Sequence, residues 1–210
     1  MKITYKKGTA DKIHISADGE YRLTVDENFF CGLFIRQNQE MSEEEFSLLE
    51  QKINTRRAYN HCVSLLSRRD HTAKELKTKL WQKGYNEESF EAIDKLIEQG
   101  YVSDERFASY YAAELKNLKG YGKRRIEQEL MRKGVSREII SATVEQMDFE
   151  DDRILEVIRR KYKCCFEDEK NRQRAVNGLL RLGYSYSDIK DAFAKLQDNE
   201  EFSFFEVQDE

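Results

Sequence analysis

Three glycines in register constrain this chain more than any other feature. Gly84, Gly134 and Gly183 lie 50 and 49 residues apart, and the residues around them agree position by position. Four residues before each glycine stand Leu80, Leu130 and Leu179, and eight before stand Leu76, Ile126 and Ala175, which is the apolar stripe of one helix. Two residues after each come Asn86, Ser136 and Ser185, all helix-capping types. Six after come Phe90, Ile140 and Ile189, and thirteen after come Ile97, Met147 and Leu196. Each glycine therefore reads as a left-handed helix stop between two helices.

Twelve residues before the glycines stand Thr72, Gly122 and Asn171, which read as caps of the first helix of each pair; "TAKE" at 72–75 has capping-box spacing. A further amphipathic helix precedes each pair. It carries Ala58, Cys62 and Leu66 in the first copy, Phe107, Tyr110, Tyr111 and Leu115 in the second, and Ile154, Val157, Ile158 and Tyr162 in the third. The expected fold is mainly α, with three tandem three-helix modules over 57–101, 102–148 and 149–198. About fifty residues bury too little surface to be robust alone, so the modules are expected to stack into a continuous curved array. Arrays of this kind offer extended surfaces for partners. The chain contains no proline, which favours long uninterrupted helices.

The first forty residues follow another period. Ile13, Ile15 and Ala17, then Asp18–Gly19, then Tyr21, Leu23 and Val25 give apolar alternation on both sides of a turn dipeptide, a β-hairpin pattern. "KITYKK" supplies a third strand, and "FFCGLFI" a further strand or a short helix. This small N-terminal β module, 1–40, is too small to be stable alone and needs to pack on the next part of the chain. A connecting helix over 41–56 starts at "SEEEF", a serine cap followed by three glutamates.

Composition narrows the classes of function. No apolar run reaches the roughly 18 residues of a membrane span, and the N-terminal residues lack a signal-peptide core, so a cytoplasmic protein is expected. Cys31, Cys62, Cys164 and Cys165 show no metal-ligand spacing and read as free thiols. The net charge is −4, unevenly spread. Residues 116–137 are locally +6, from eight cations against Glu127 and Glu129, while "DNEEFSFFEVQDE" at the end is locally −6. An anionic partner for one surface and a separate acidic tail, 199–210, are expected. The tail reads as a fold-back competitor for the basic face or, preferably, as a disordered solubilising end.

Patterns that would carry chemistry do not assemble. "KGYGKRR" lacks the third glycine of a dinucleotide loop and the ending of a P-loop, and reads as a helix stop at Gly120 followed by a start at Gly122. His14, His61 and His71 share no ligand spacing. The acidic clusters at 43–45, 150–152 and 167–169 fall near helix starts, where negative charge stabilises the helix end. Trp81 reads as helix core or inter-module packing. No catalytic, cofactor-binding or metal-binding residue is assigned, and an enzyme is not expected.

One pattern opposes helix stability. The turn after the second cap reads Lys123, Arg124, Arg125, and the turn after the third reads Arg172, Gln173, Arg174, so cations face the positive end of a helix. Unpaired backbone N–H groups beside arginines suit a phosphate or a carboxylate. Lys123, Arg124, Arg125, Arg132, Lys133, Arg172 and Arg174 are the candidate partner or nucleic-acid contacts.

"LLSRRDHTAKELKTKLWQKGY", "LIEQGYVSDERFASYY" and "GYGKRRIEQELMRKGVSREII" resemble the RecX family, regulators of the RecA recombinase, over about residues 57–198. The resemblance implies tandem three-helix modules and a protein that acts by binding. Its partners would be RecA and the RecA filament on single-stranded DNA, with direct DNA contact possible, and the protein would be a monomer. It implies suppression of RecA's ATPase, strand exchange and SOS coprotease activities. Family members often carry proline where this chain has Lys123, and the acidic Phe-containing tail lies outside the family pattern. The alternative from the residues is a helical DNA-binding protein acting independently of RecA.

Overall fold

The structure, a computed structural model, describes residues 1–149 and 153–206, with Glu88 and residues 198–206 described by backbone alone. It divides into two compact units, Met1–Val102 and Ser103–Glu210.

The first unit opens with strands β1 (Lys2–Lys7), β2 (Lys12–Ala17) and β3 (Glu20–Asp26), joined at one edge by the short β4 (Gln39–Glu40). The sheet is antiparallel in the order β3-β2-β1-β4. Asp18 and Gly19 hold φ of 53° and 88°, so both central positions of the expected hairpin turn are left-handed. "KITYKK" is the third strand, and of "FFCGLFI" the first three residues end a short helix, α1 (Glu27–Cys31), with a turn after it and no strand. One face of the sheet presents Ile3, Ile13, Ile15, Leu23 and Val25, which pack with Phe30 and with Phe46, Leu49 and Ile53 of the following helix.

That helix, α2, runs without a break from Glu43 to Leu66. Ser42 and Glu45 close a full capping box at its start. The expected boundary between a connecting helix ending at 56 and a module beginning at 57 falls inside this one helix, whose backbone has no glycine or proline to mark it. The second half of α2 buries Ala58 and Cys62 against Leu76 and Leu80 of α3 (Ala73–Gln82) and Ile93 and Leu96 of α4 (Glu91–Glu98). Thr72 caps α3 as expected. Asn86 opens a single 3-10 turn, Glu87–Phe90, in place of a full helix start.

The second unit contains α5 (Asp104–Lys119), α6 (Lys123–Lys133) and α7 (Arg137–Glu145), then α8 (Arg153–Lys161), α9 (Glu169–Leu182) and α10 (Tyr186–Glu206). Ser103 and Ser136 cap α5 and α7, and Ser185 and Asp188 form a reciprocal pair at the start of α10. Gly84, Gly134 and Gly183 have φ of 85°, 87° and 94°, the helix-stop conformation expected of all three. Leu80, Leu130 and Leu179 are fully buried, one in each of three separate core clusters.

Four expectations are corrected. Trp81 is 61% exposed and belongs to no core. Tyr110 and Ile97 also face solvent, although each continues an apolar stripe in sequence. The cap of α9 is Asp168, whose carboxylate accepts from the Asn171 N–H at 2.6 Å, so this helix begins one turn before Asn171. The backbone of α10 continues as helix to Glu206, through the start of the segment expected as a tail. The chemistry proposed for that tail rests on side chains outside the described residues, as does the acidic cluster at 150–152.

Candidate partner interface

The basic turn Lys123, Arg124, Arg125 is where the sequence places it, in the first turn of α6 behind the cap Gly122. Its backbone N–H groups are mostly spent. Gly122 donates to the Leu182 carbonyl at 2.8 Å and Arg124 to the Gly183 carbonyl at 3.3 Å. The carbonyl end of α9 thus closes the amide end of α6, and the two helix dipoles meet with opposite partial charges. This contact takes up most of the backbone N–H groups on which the expected anion pocket was built, so the side chains of the turn are what chiefly remain to meet a partner.

The joint admits no extra atom. A Cβ on Gly183 would lie 2.3 Å from the Arg125 nitrogen, and a Cβ on Gly122 would lie 2.7 Å from the Gly183 carbonyl carbon. The buried Tyr184 hydroxyl donates to the Gly120 carbonyl at 3.1 Å, adding a third tie between the two modules.

The other candidate cations separate by environment. Arg125 and Arg132 converge on Glu129, which is only 5% exposed, at 2.9 and 2.6 Å. The second contact brings charges together without hydrogen-bond alignment, since Glu129 Oε2 has no hydrogen-bond partner. Arg125 also lies over the Tyr121 ring and Lys133 over Tyr111. Three of the five candidates on α6 are thus held to their own module. Lys123 lines a cleft of about 500 Å³ with Lys116, Tyr121, Asp191 and Lys195. Lys123 and Arg124 are exposed.

In the third module the expectation fails. With Asp168 as cap, the first turn of α9 is Glu169, Lys170, Asn171, so Arg172 and Arg174 stand beyond it and face no free helix end. Arg172 packs over the Phe193 ring of α10, and Arg174 is exposed on α9. The basic turn is therefore not repeated from module to module.

A different set of cations was missed. Arg159, Arg160 and Lys161 fill the last turn of α8, followed by exposed Lys163. The signal was the run "RRKYK" at 159–163, four cations in five residues.

Residues 58–99 match the family model for the first three-helix domain of RecX, and residues 103–144 that for the second. Regulatory protein RecX of Caldanaerobacter subterraneus subsp. tengcongensis is 35% identical over 181 residues, 86% of this chain and 89% of that one. The chain belongs to the RecX family. The RecX protein of Clostridium tetani is 26% identical over 202 residues, 93% of each chain. A crystal structure of regulatory protein RecX superposes with a TM-score of 0.68 over 90% of this chain and 97% of that one, at 23% identity, and so supports the fold. Lys123, Arg124, Arg125, Arg132 and Lys133 fall inside the stretch matching the second RecX domain; Arg172 and Arg174 lie outside both matched stretches.

Proposed function

We propose that this RecX-family chain binds the RecA recombinase and its filament on single-stranded DNA, and that binding suppresses ATP hydrolysis, strand exchange and SOS coprotease activity. The observation that carries this reading is the likeness to curated RecX regulators across most of the chain. It acts by binding, as a cytoplasmic monomer with no chemistry of its own. Regulatory, and not enzymatic, names on the relatives support action by binding; no described helix is long and apolar enough to cross a membrane. Lys123 and Arg124 are the contacts favoured by their exposure, with Arg174 as a further contact on α9. Arg125, Arg132, Lys133 and Arg172 contribute charge while packed on their own modules. Titrating the purified protein into RecA on single-stranded DNA tests the reading. Substoichiometric protein lowers the DNA-dependent ATPase if it is right, and an unchanged rate at several-fold excess rejects it.

The local charge of +6 over 116–137 favours a second reading, a DNA-binding protein acting without RecA. It requires tight binding to naked DNA whose affinity falls steeply with salt, the slope counting phosphate contacts.

A further inference from the structure

The last turns of α5 and α8 line one groove of about 360 Å³ within the second unit. Leu118, Val157 and Leu182 contribute aliphatic surface, and Leu118 is 77% exposed. Lys119 comes from the end of α5, and Arg160 and Lys161 from the end of α8. The groove also holds Arg153, already paired with Glu156, its single lining carboxylate. Among the described residues, Lys119, Arg160 and Lys161 have no acidic partner. Helix dipoles account for cations at each helix end. They do not account for two such ends sharing one groove beside an exposed leucine.

We propose that this groove docks an acidic peptide segment of a partner protein, one that carries aliphatic side chains among its carboxylates. Charge complementarity supplies the acidic requirement. Two features favour a peptide over a nucleic-acid strand. First, the groove lies at the carbonyl ends of α5 and α8, where Leu115, Lys116 and Ile158 accept from the residues that close each helix but the final carbonyls beyond them lack intrahelical donors. A peptide brings N–H groups to such carbonyls, whereas a phosphate backbone brings only acceptors and belongs at the opposite helix end. Second, the floor is aliphatic. The one lining aromatic ring, Tyr121, already has Arg125 over one face at 5.7 Å, and no second ring lines the groove to continue a stack of bases. The proposal stands on the groove itself and is independent of which protein supplies the segment.

The test uses the full chain and three labelled probes: an end-blocked peptide of glutamates interspersed with leucines, its leucine-free counterpart, and a thymidine oligonucleotide. The expected result is saturable binding of the first peptide, about tenfold weaker binding of the second, and about tenfold loss on charge reversal by Arg160→Glu with Lys161→Glu. Leu118→Asp, at an exposed position that folding tolerates, weakens the first peptide by a similar factor and leaves the helical circular-dichroism spectrum unchanged. Lys170→Glu, a single charge reversal in the first turn of α9 and away from the groove lining, leaves binding intact. Absence of saturable peptide binding overturns the proposal. So does equal loss from Lys170→Glu, or oligonucleotide binding that is tighter than the peptide's and lost through Arg160 and Lys161.

Discussion

The Arg124 N–H donates to the Gly183 carbonyl at 3.3 Å, so the start of α6 is closed by the end of α9, a helix that begins more than forty residues later in the chain. This contact withdraws the Arg124 N–H from the candidate anion site. It also makes Gly183 a residue with two duties, helix stop and joint.

The double duty separates two otherwise similar glycines. Gly84 has φ of 85° and open space around a Cβ, so Gly84→Ala costs only the left-handed strain, about 1–2 kcal/mol. Gly183→Ala adds a Cβ within 2.5 Å of Arg125 backbone and Cβ atoms and costs at least about 1–3 kcal/mol more. Denaturant unfolding of the two variants measures the difference; equal losses would show that the joint yields freely.

Asp168→Ala and Asn171→Ala distinguish the observed cap of α9 from the one expected from spacing. Loss of the Asp168 carboxylate leaves the Asn171 N–H without its acceptor and costs about 1 kcal/mol. Asn171→Ala changes stability by less than about 0.5 kcal/mol. Thermal melts of both variants check the order.

Glu129→Gln keeps the shape of a buried side chain and removes the charge shared by Arg125 and Arg132. Both arginines keep solvent contact, so the expected cost is modest, about 1–2 kcal/mol. The same change releases Arg125, next to Arg124 in the chain, and Arg132 about two turns further along α6, and anion affinity measured on this variant rises as stability falls.

His71 gives the first unit a pH dependence. Its ring is buried at the start of α3, with Nδ1 3.1 Å from Glu75 Oε2. Burial first, then the nearby Arg69 charge, lower its pKa, while Glu75 partly opposes them. The folded chain therefore binds this proton less readily than the unfolded chain. Stability is complete above the ordinary histidine pKa of about 6.5 and is lost as pH falls from there towards the depressed native value. His71→Gln reduces that loss, read as a smaller drop in unfolding midpoint over the same interval.

Trp81 is the chain's single tryptophan and lies on the open side of α3. Its fluorescence is that of a solvated indole, readily quenched by a soluble quencher, and Trp81→Ala shifts stability by less than about 0.5 kcal/mol. Protected, blue-shifted emission in the free protein would contradict the exposure.

The glycine register made the helix stops legible, together with Leu80, Leu130 and Leu179, because both depend on local conformation and a period of 3.6 residues. Trp81 was misplaced because it adjoins Leu80, and one residue along a helix turns the side chain by about 100° away from the buried stripe. Asn171 was misplaced because Asp168, three residues earlier, is an equally good capping type, and the acidic pair Asp168–Glu169 suits the positive helix end. The closure of α6 by α9 could not be read at all. It depends on where two helices from different modules come to rest, which no window of sequence encodes.

The long helix α2 has a consequence for how the first unit comes apart. Phe46, Leu49 and Ile53 belong to the sheet's core, and Ala58 and Cys62 to the first helical module's core, on one hydrogen-bonded rod of 24 residues with no glycine or proline at which to break. Fraying the rod from either end withdraws side chains from one core while loosening the backbone that carries the other. Amide protons of the strands and of α3 should therefore exchange with a common free energy of opening, so that hydrogen exchange sees two cores but one cooperative foldon.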